Sequence, residues 1–451
     1  MLPTLLLILY GVVLLGIALA SLKYNTSMEN YLVAGRSQRK LLVTASMLAS
    51  TIGGGITIGT VTKTWTMGFP AFWFVAAGGL AHFLQGALLS RRVRETEALT
   101  LPDMAVKLSG PDLGTAASVI IMITWVGIAT SQFVAVAKVV SAITGLAHQP
   151  AVIAAAGFLI AYTLIGGQKS VLRTDLFQFG ILAVSLLGAL AWLYLGKPPA
   201  AGSVAIELFN KSLGVLDLVY YVVVMGGSYF ICPMMFGRLL SADSPANARK
   251  SSFMSGAGML LFAFAITFIG LWAKASLGAA ELGAADPLNY LARSVLPPVL
   301  GTVLIFGLLA AILSTADTVL LTAAGVLEND LIKRKSVGGV RLWVVVIGII
   351  GTVIALFQTD IIGILMKTYN GYTAGIVPVL FVAIMYKDKR RLSPAWGLAA
   401  VLVGYALGTA GSFAPAASAW AKLLPLLGLI MSGGLALAGV YVKRPSVDQA
   451  A

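Results

Sequence analysis

Ser50-Thr51-Ile52-Gly53-Gly54-Gly55 stands in the middle of an apolar run over residues 41–65. Three consecutive glycines weaken a helix by about 1 kcal/mol each relative to alanine, so the segment is a candidate for a break or an unwound turn. Close helix packing is the other reading, because small residues are common where membrane helices meet. A second interruption, Gly226-Gly227-Ser228-Tyr229 followed by Pro233, lies in a later apolar run over residues 216–240. Helix packing and helix breakage are told apart by what surrounds these two segments.

Around them the chain is almost entirely apolar. Its 451 residues are 59% hydrophobic and 11% charged, against about 25% charged in ordinary globular chains. A soluble protein of this size cannot cover its surface with so few charges. The hydrophobic residues come in runs near the ~20 residues that cross a bilayer. Such runs number about thirteen: roughly 3–22, 41–65, 69–90, 113–144, 149–166, 172–195, 216–240, 252–277, 296–327, 340–357, 361–386, 393–412 and 421–442. This pattern excludes disorder, a secreted disulfide scaffold and a cytosolic enzyme. The single cysteine, Cys232, excludes an intramolecular disulfide, and with His82 and His148 leaves little for a transition-metal site. The opening run lacks a basic leader and a small-residue cleavage site, so it reads as a transmembrane helix rather than a signal peptide.

Thirteen crossings put the termini on opposite sides, and charge indicates which. With the amino terminus outside, twenty-three of the 31 basic residues fall on cytoplasmic links and their edges, among them Arg91, Arg92, Arg94, Arg238, Lys333, Arg334, Lys389, Lys443 and Arg444. Five remain outside, and Lys63, Lys138 and Lys367 fall within spans. This positive-inside excess accounts for the net charge of +14 better than nucleic-acid binding does. The expectation is a multi-pass protein of the inner (plasma) membrane with an outer amino terminus and a cytoplasmic carboxyl terminus.

Each interrupted run opens a block of five spans, two to six and seven to eleven. An offset of five inverts one block relative to the other. Broken helices at matching positions of inverted repeats place a binding site at the membrane midplane, where half-helix ends and freed carbonyls meet polar solutes. The predicted fold is therefore all-α, one transmembrane domain over 1–451. It comprises a leading helix and link (1–40), a first repeat (41–195), a second repeat (216–386) and two trailing helices (393–442).

The ninth span carries Ala311, Ser314, Thr315 and Thr318 at i, i+3, i+4 and i+7, on one helical face beside Asp317. Hydroxyls and a carboxylate are hard oxygen ligands suited to a small cation. Hydroxyls bonding back to i−4 carbonyls explain the serine and threonines equally simply. They do not explain Asp317, since a mid-membrane acid costs about 2.5–3.5 kcal/mol even on a lenient scale. Asp175, near the start of the sixth span, either caps that helix or extends an ion path from the ninth.

These segments resemble the sodium:solute symporter family over nearly the whole chain. The resemblance rests on Ser27-Met28-Glu29-Asn30-Tyr31-Leu32-Val33-Ala34-Gly35-Arg36, Leu99-Thr100-Leu101-Pro102-Asp103, Gly166-Gly167 followed by Thr174-Asp175, and above all Ala311…Ser314-Thr315. It implies a sodium site between the second and ninth spans, formed by the carbonyls of Ala49, Ile52 and Ala311 with the hydroxyls of Ser314 and Thr315. It also implies a possible second sodium at Asp175, Ser314, Asp317 and Thr318.

The substrate end is read from polar residues in the apolar spans. Phe74, Gly78, His82 and Gln85 form a stripe on the third span, and Ser131, Gln132 and Lys138 lie on the fourth. The candidate substrate set is Gly54, Thr57, Phe74, Gln85, Gln132, Lys138, Ser228 and Tyr229. Lys138 either meets an anionic solute or snorkels to the interface, and snorkelling is the reading for Lys63. The glutamine and glutamate of sugar-binding family members have no match at Gly54-Gly55-Ile56, which favours a small carboxylate or amino acid over a sugar. The functional expectation is a sodium-coupled secondary active symporter that imports such a solute by alternating access. The alternative is a membrane sensor or scaffold retaining the fold without transport. An enzyme is not expected, for want of an acid/base or metal constellation.

Overall fold

The computed structural model describes residues 2–282, 286–358, 360–388, 390–415 and 418–442. Lys389, Lys443 and Arg444, counted on the cytoplasmic side, lie outside these. The described residues are helical throughout, apart from connections and two isolated bridges. Twelve helices are long and apolar enough to cross a membrane, and one bent pair makes a thirteenth crossing.

Helix α1 (Leu2–Ser21) leads into the first repeat. That repeat comprises the pair α2 (Lys40–Thr51) and α3 (Gly54–Met67), then α4 (Phe72–Leu88), α5 (Pro111–Thr144), α6 (His148–Ile165) and α7 (Gln168–Gly196). The second repeat opens with α8 (Val215–Tyr220), α9 (Gly226–Phe230) and α10 (Pro233–Ser241) as one interrupted crossing. It continues through α11 (Pro245–Ser276), α12 (Pro298–Val326), α13 (Val337–Ala355) and α14 (Ile361–Tyr386). Helices α15 (Pro394–Phe413) and α16 (Trp420–Tyr441) trail behind and pack on α14. The repeats interlock: α4 lies against α11, α7 against α12, and α2 against both α7 and α12.

Local chemistry sets the helix ends. Proline opens α5, α10, α11, α12 and α15, where its missing N–H has no helical partner to lose. Ser244, Ser336 and Asp360 cap α11, α13 and α14 by accepting from the backbone N–H three residues on.

Both interrupted crossings are present, and the second breaks later than the glycines suggest. Helices α2 and α3 meet at 52°, with Ile52 and Gly53 out of helical geometry. In the seventh crossing, Gly226–Ser228 stay helical after a π-turn over Tyr221–Met225, and the chain extends only at Ile231 and Cys232. Pro233 is the reason, because proline forces the residue before it out of the α region and donates no hydrogen bond. The glycine pair instead permits contact. A Cβ on Gly226 would lie 3.2 Å from the Ala77 carbonyl oxygen, and one on Gly227 2.6 Å from the Thr373 methyl.

Candidate functional site

The break in the second crossing frees backbone carbonyls against the hydroxyl face of α12. The Ser314 hydroxyl donates to the carbonyls of Ala49 (2.9 Å) and Ala311 (3.0 Å). The Thr315 hydroxyl donates to Ser50 (3.1 Å) and Ala311 (3.0 Å). The Ile56 N–H turns to the carbonyl of Gly53, which releases that of Ile52 from the helical ladder. The hydroxyls of Ser314 and Thr315 and the carbonyls of Ala49, Ser50 and Ala311 are thus joined in one hydrogen-bonded cluster without a carboxylate among them. That donor set fits a weakly held monovalent cation better than calcium. The Ser50 carbonyl joins this cluster, a group that the spacing along the sequence did not single out.

Gly53 makes the approach possible through space rather than conformation. Its backbone is extended, as any residue allows. A Cβ there would stand 2.6 Å from Thr315 Oγ1 and 3.2 Å from Gln132 Oε1.

Beside the break lies a narrow cavity of about 40 Å³. Ile56, Gly59, Thr60 and Lys63 line it from one face of α3. Phe74, Gln132, Tyr229 and Tyr369 close it from α4, α5, α9 and α14. Of the candidate substrate residues, Phe74, Gln132 and Tyr229 line this space. Gly54 is buried against Ala135 and Ile312, and the Thr57 hydroxyl returns to the Gly53 carbonyl (3.1 Å). The Ser228 hydroxyl returns to Met225 (2.7 Å).

Gln85 serves the second break instead of the cavity. Its amide donates to the carbonyls of Phe230 (3.0 Å) and Tyr229 (3.3 Å), while the Tyr372 hydroxyl donates to Ile231 (2.7 Å). Carbonyls freed at the seventh crossing are thereby satisfied within the protein and are not presented to a ligand.

Of the two lysines, Lys63 lines the cavity. Lys138 is half-buried on α5 and lies outside the lining. Lys63 is half-buried too, on the cavity face of α3. No hydrogen bond or ion pair engages its side-chain nitrogen among the described residues. Gln132 Oε1 is buried and likewise has no hydrogen-bond partner.

Arg238 holds the third feature of the site. Counted from sequence as a cytoplasmic link charge, it is only 1% exposed and projects from α10 into the space behind the break. Its Nη2 donates to Asp175 Oδ2 (3.0 Å), Ser50 Oγ (2.5 Å) and Thr318 Oγ1 (2.5 Å), and its Nε to Ser46 Oγ (3.0 Å). Thr318 in turn donates to Asp317 Oδ1 (3.2 Å), whose other oxygen accepts no hydrogen bond among the described residues. Asp175 is therefore not a simple helix cap. The available signal was chemical: two acids within the apolar spans require a buried cation, and Arg238 closely follows Pro233 in an apolar segment.

A model of the sodium:solute symporter family matches residues 31–404. The chain belongs to that family. The sodium/proline symporter of Salmonella typhimurium is 26% identical over 440 residues, covering 90% of this chain and 86% of the relative. That of Escherichia coli is 24% identical over 446 residues, with the same coverages. Among solved structures, a Na+-coupled sialic acid symporter in a substrate-bound outward-open state superposes with a TM-score of 0.77 at 14% identity, covering 99% of this chain and 98% of its own. A nucleobase-cation-symport-1 family transporter in a closed conformation does so at 0.58 and 13%, covering 92% and 94%. This family member is thus a membrane-embedded, multi-pass transporter rather than an enzyme, with sodium as its coupling ion and a small solute as its cargo.

Proposed function

We propose that this symporter imports a zwitterionic amino acid or a closely related small carboxylate. The observation that carries the reading is that one cavity is lined by Lys63, whose ammonium has no partner among the described residues, and by Gln132, whose Oε1 is buried without a hydrogen bond. The first suits a carboxylate and the second an amine N–H. The N-terminus of α3 adds positive potential at the break. That the curated relatives are sodium/proline symporters supports an amino acid as cargo.

Ala49, Ile52, Ala311, Ser314 and Thr315 hold the sodium in this reading. Bound there, the ion supplies a positive charge that bridges α2 to α12 directly beside the cavity. The chain's own groups do the rest. Gly53 lets Thr315 and Gln132 approach, so the ion-binding hydroxyls and the solute-binding amide share one backbone turn. Rocking of α2–α4 and α8–α11 against α5, α6, α12 and α13 opens the cavity to one side at a time. The excess of basic residues on alternate links supports an outer amino terminus and a cytoplasmic carboxyl terminus in the inner membrane.

Purified protein in proteoliposomes tests this directly. An imposed inward sodium gradient should drive uptake of labelled L-proline or another small amino acid, with amino acids and small carboxylates competing and neutral sugars failing. A neutral sugar as the best competitor overturns the substrate class. Uptake indifferent to sodium overturns the ion assignment.

A further inference from the structure

We infer that Arg238 is the resident cation of the pocket formed by Asp175, Thr318 and Ser50, and that this protein therefore couples a single sodium ion to each solute. The inference rests on the sodium site proposed above. The pocket has the oxygen groups a second sodium would need, but one guanidinium nitrogen already takes three of them. Asp175 Oδ2, Ser50 Oγ and Thr318 Oγ1 all lie within 2.5–3.0 Å of Arg238 Nη2. An ion at those oxygens and the guanidinium exclude each other by contact as well as by charge.

Ser314 joins the two sites physically: its hydroxyl belongs to the sodium set, while its carbonyl accepts from Ser50 (3.2 Å) and Thr318 (2.9 Å).

The position of Arg238 also explains why the pocket is built from three helices. It reaches from α10 to Ser46 and Ser50 on α2, Asp175 on α7 and Thr318 on α12. The guanidinium ties the second broken crossing to the first on the α2 side of the break.

Equilibrium binding of 22Na+ to the purified protein, read by scintillation proximity, gives the ion count without transport. The wild type should bind one ion per chain, and proteoliposomes should take up sodium and solute in a ratio of one. Two ions per chain in the wild type overturn the inference. Arg238→Ser should raise the count to two and Arg238→Lys should hold it at one. A folded Arg238→Ser protein that still binds one ion overturns the exclusion. If Arg238→Ser does not fold, the wild-type count alone decides. A wild type that binds no sodium overturns the sodium site of the proposed function, an outcome distinct from a count of two.

Discussion

Ser314 donates its hydroxyl proton to the backbone carbonyl of Ala49 at 2.9 Å, across 265 positions of sequence. A carbonyl inside an intact helix would be occupied by its own i+4 N–H. The break at Ile52–Gly53 makes this one available, and the i, i+3, i+4 spacing on α12 brings Thr315 to the neighbouring carbonyl of Ser50. Backbone discontinuity on one repeat and side-chain periodicity on the other together create the proposed ion ligand set.

Removing either hydroxyl should weaken sodium binding without unfolding the protein. Ser314→Ala and Thr315→Ala are each expected to raise the sodium concentration for half-maximal uptake about tenfold, equivalent to about 1.4 kcal/mol. Sodium titrations of uptake alongside a thermal melt separate the two effects. Unchanged sodium dependence in the double variant removes these residues from the site.

Gly53→Ala should act at the same site through crowding. Its Cβ would meet Thr315 Oγ1 at 2.6 Å, a distance that requires the hydroxyl to move. The expected result is a several-fold loss of sodium affinity in the same uptake assay. Gly434→Ala, where a Cβ meets nothing within 4 Å, serves as the control and should transport normally.

Lysine variants distinguish the cavity from the periphery. Lys63→Met should raise the KM for an amino-acid solute by tenfold or more, because Lys63 lines the cavity. Lys138→Gln should change it less than twofold. The reverse pattern would place the solute carboxylate on α5 rather than α3.

Gln85→Leu leaves the carbonyls of Tyr229 and Phe230 without their side-chain donor, and Tyr372→Phe does the same for Ile231. An unsatisfied buried polar group costs about 1–3 kcal/mol. Each variant is expected to lower the Tm measurably, with sodium affinity retained in the folded fraction. An unchanged Tm in both would show that these carbonyls find other partners.

The span order, the break at the triple glycine and the hydroxyl face of α12 were legible because each is written in local terms. Hydropathy over ~20 residues defines a crossing, glycine propensity marks a weak turn, and helical spacing places Ser314 beside Thr315. The second break was misplaced because two local signals competed, and the nearby proline outweighed the glycine pair. Gly226 and Gly227 owe their presence to Ala77 and Thr373, neighbours far away in the chain.

Side-chain partnership is not local, and there the reading from sequence ran out. Composition and periodicity alone made this an inverted-repeat helical membrane protein with a hydroxyl-bearing face on its ninth crossing, since the bilayer imposes the same demand on every span. They gave no reason to send Gln85 to the carbonyls of α9, to turn Lys63 rather than Lys138 toward the cavity, or to bury Arg238 against Asp175. Those choices arise where helices from both repeats meet, 63 residues apart for Arg238 and Asp175 and 144 for Gln85 and Tyr229. A buried polar group takes whichever partner the packing of helices brings within hydrogen-bond distance, and that packing is a property of the assembled bundle.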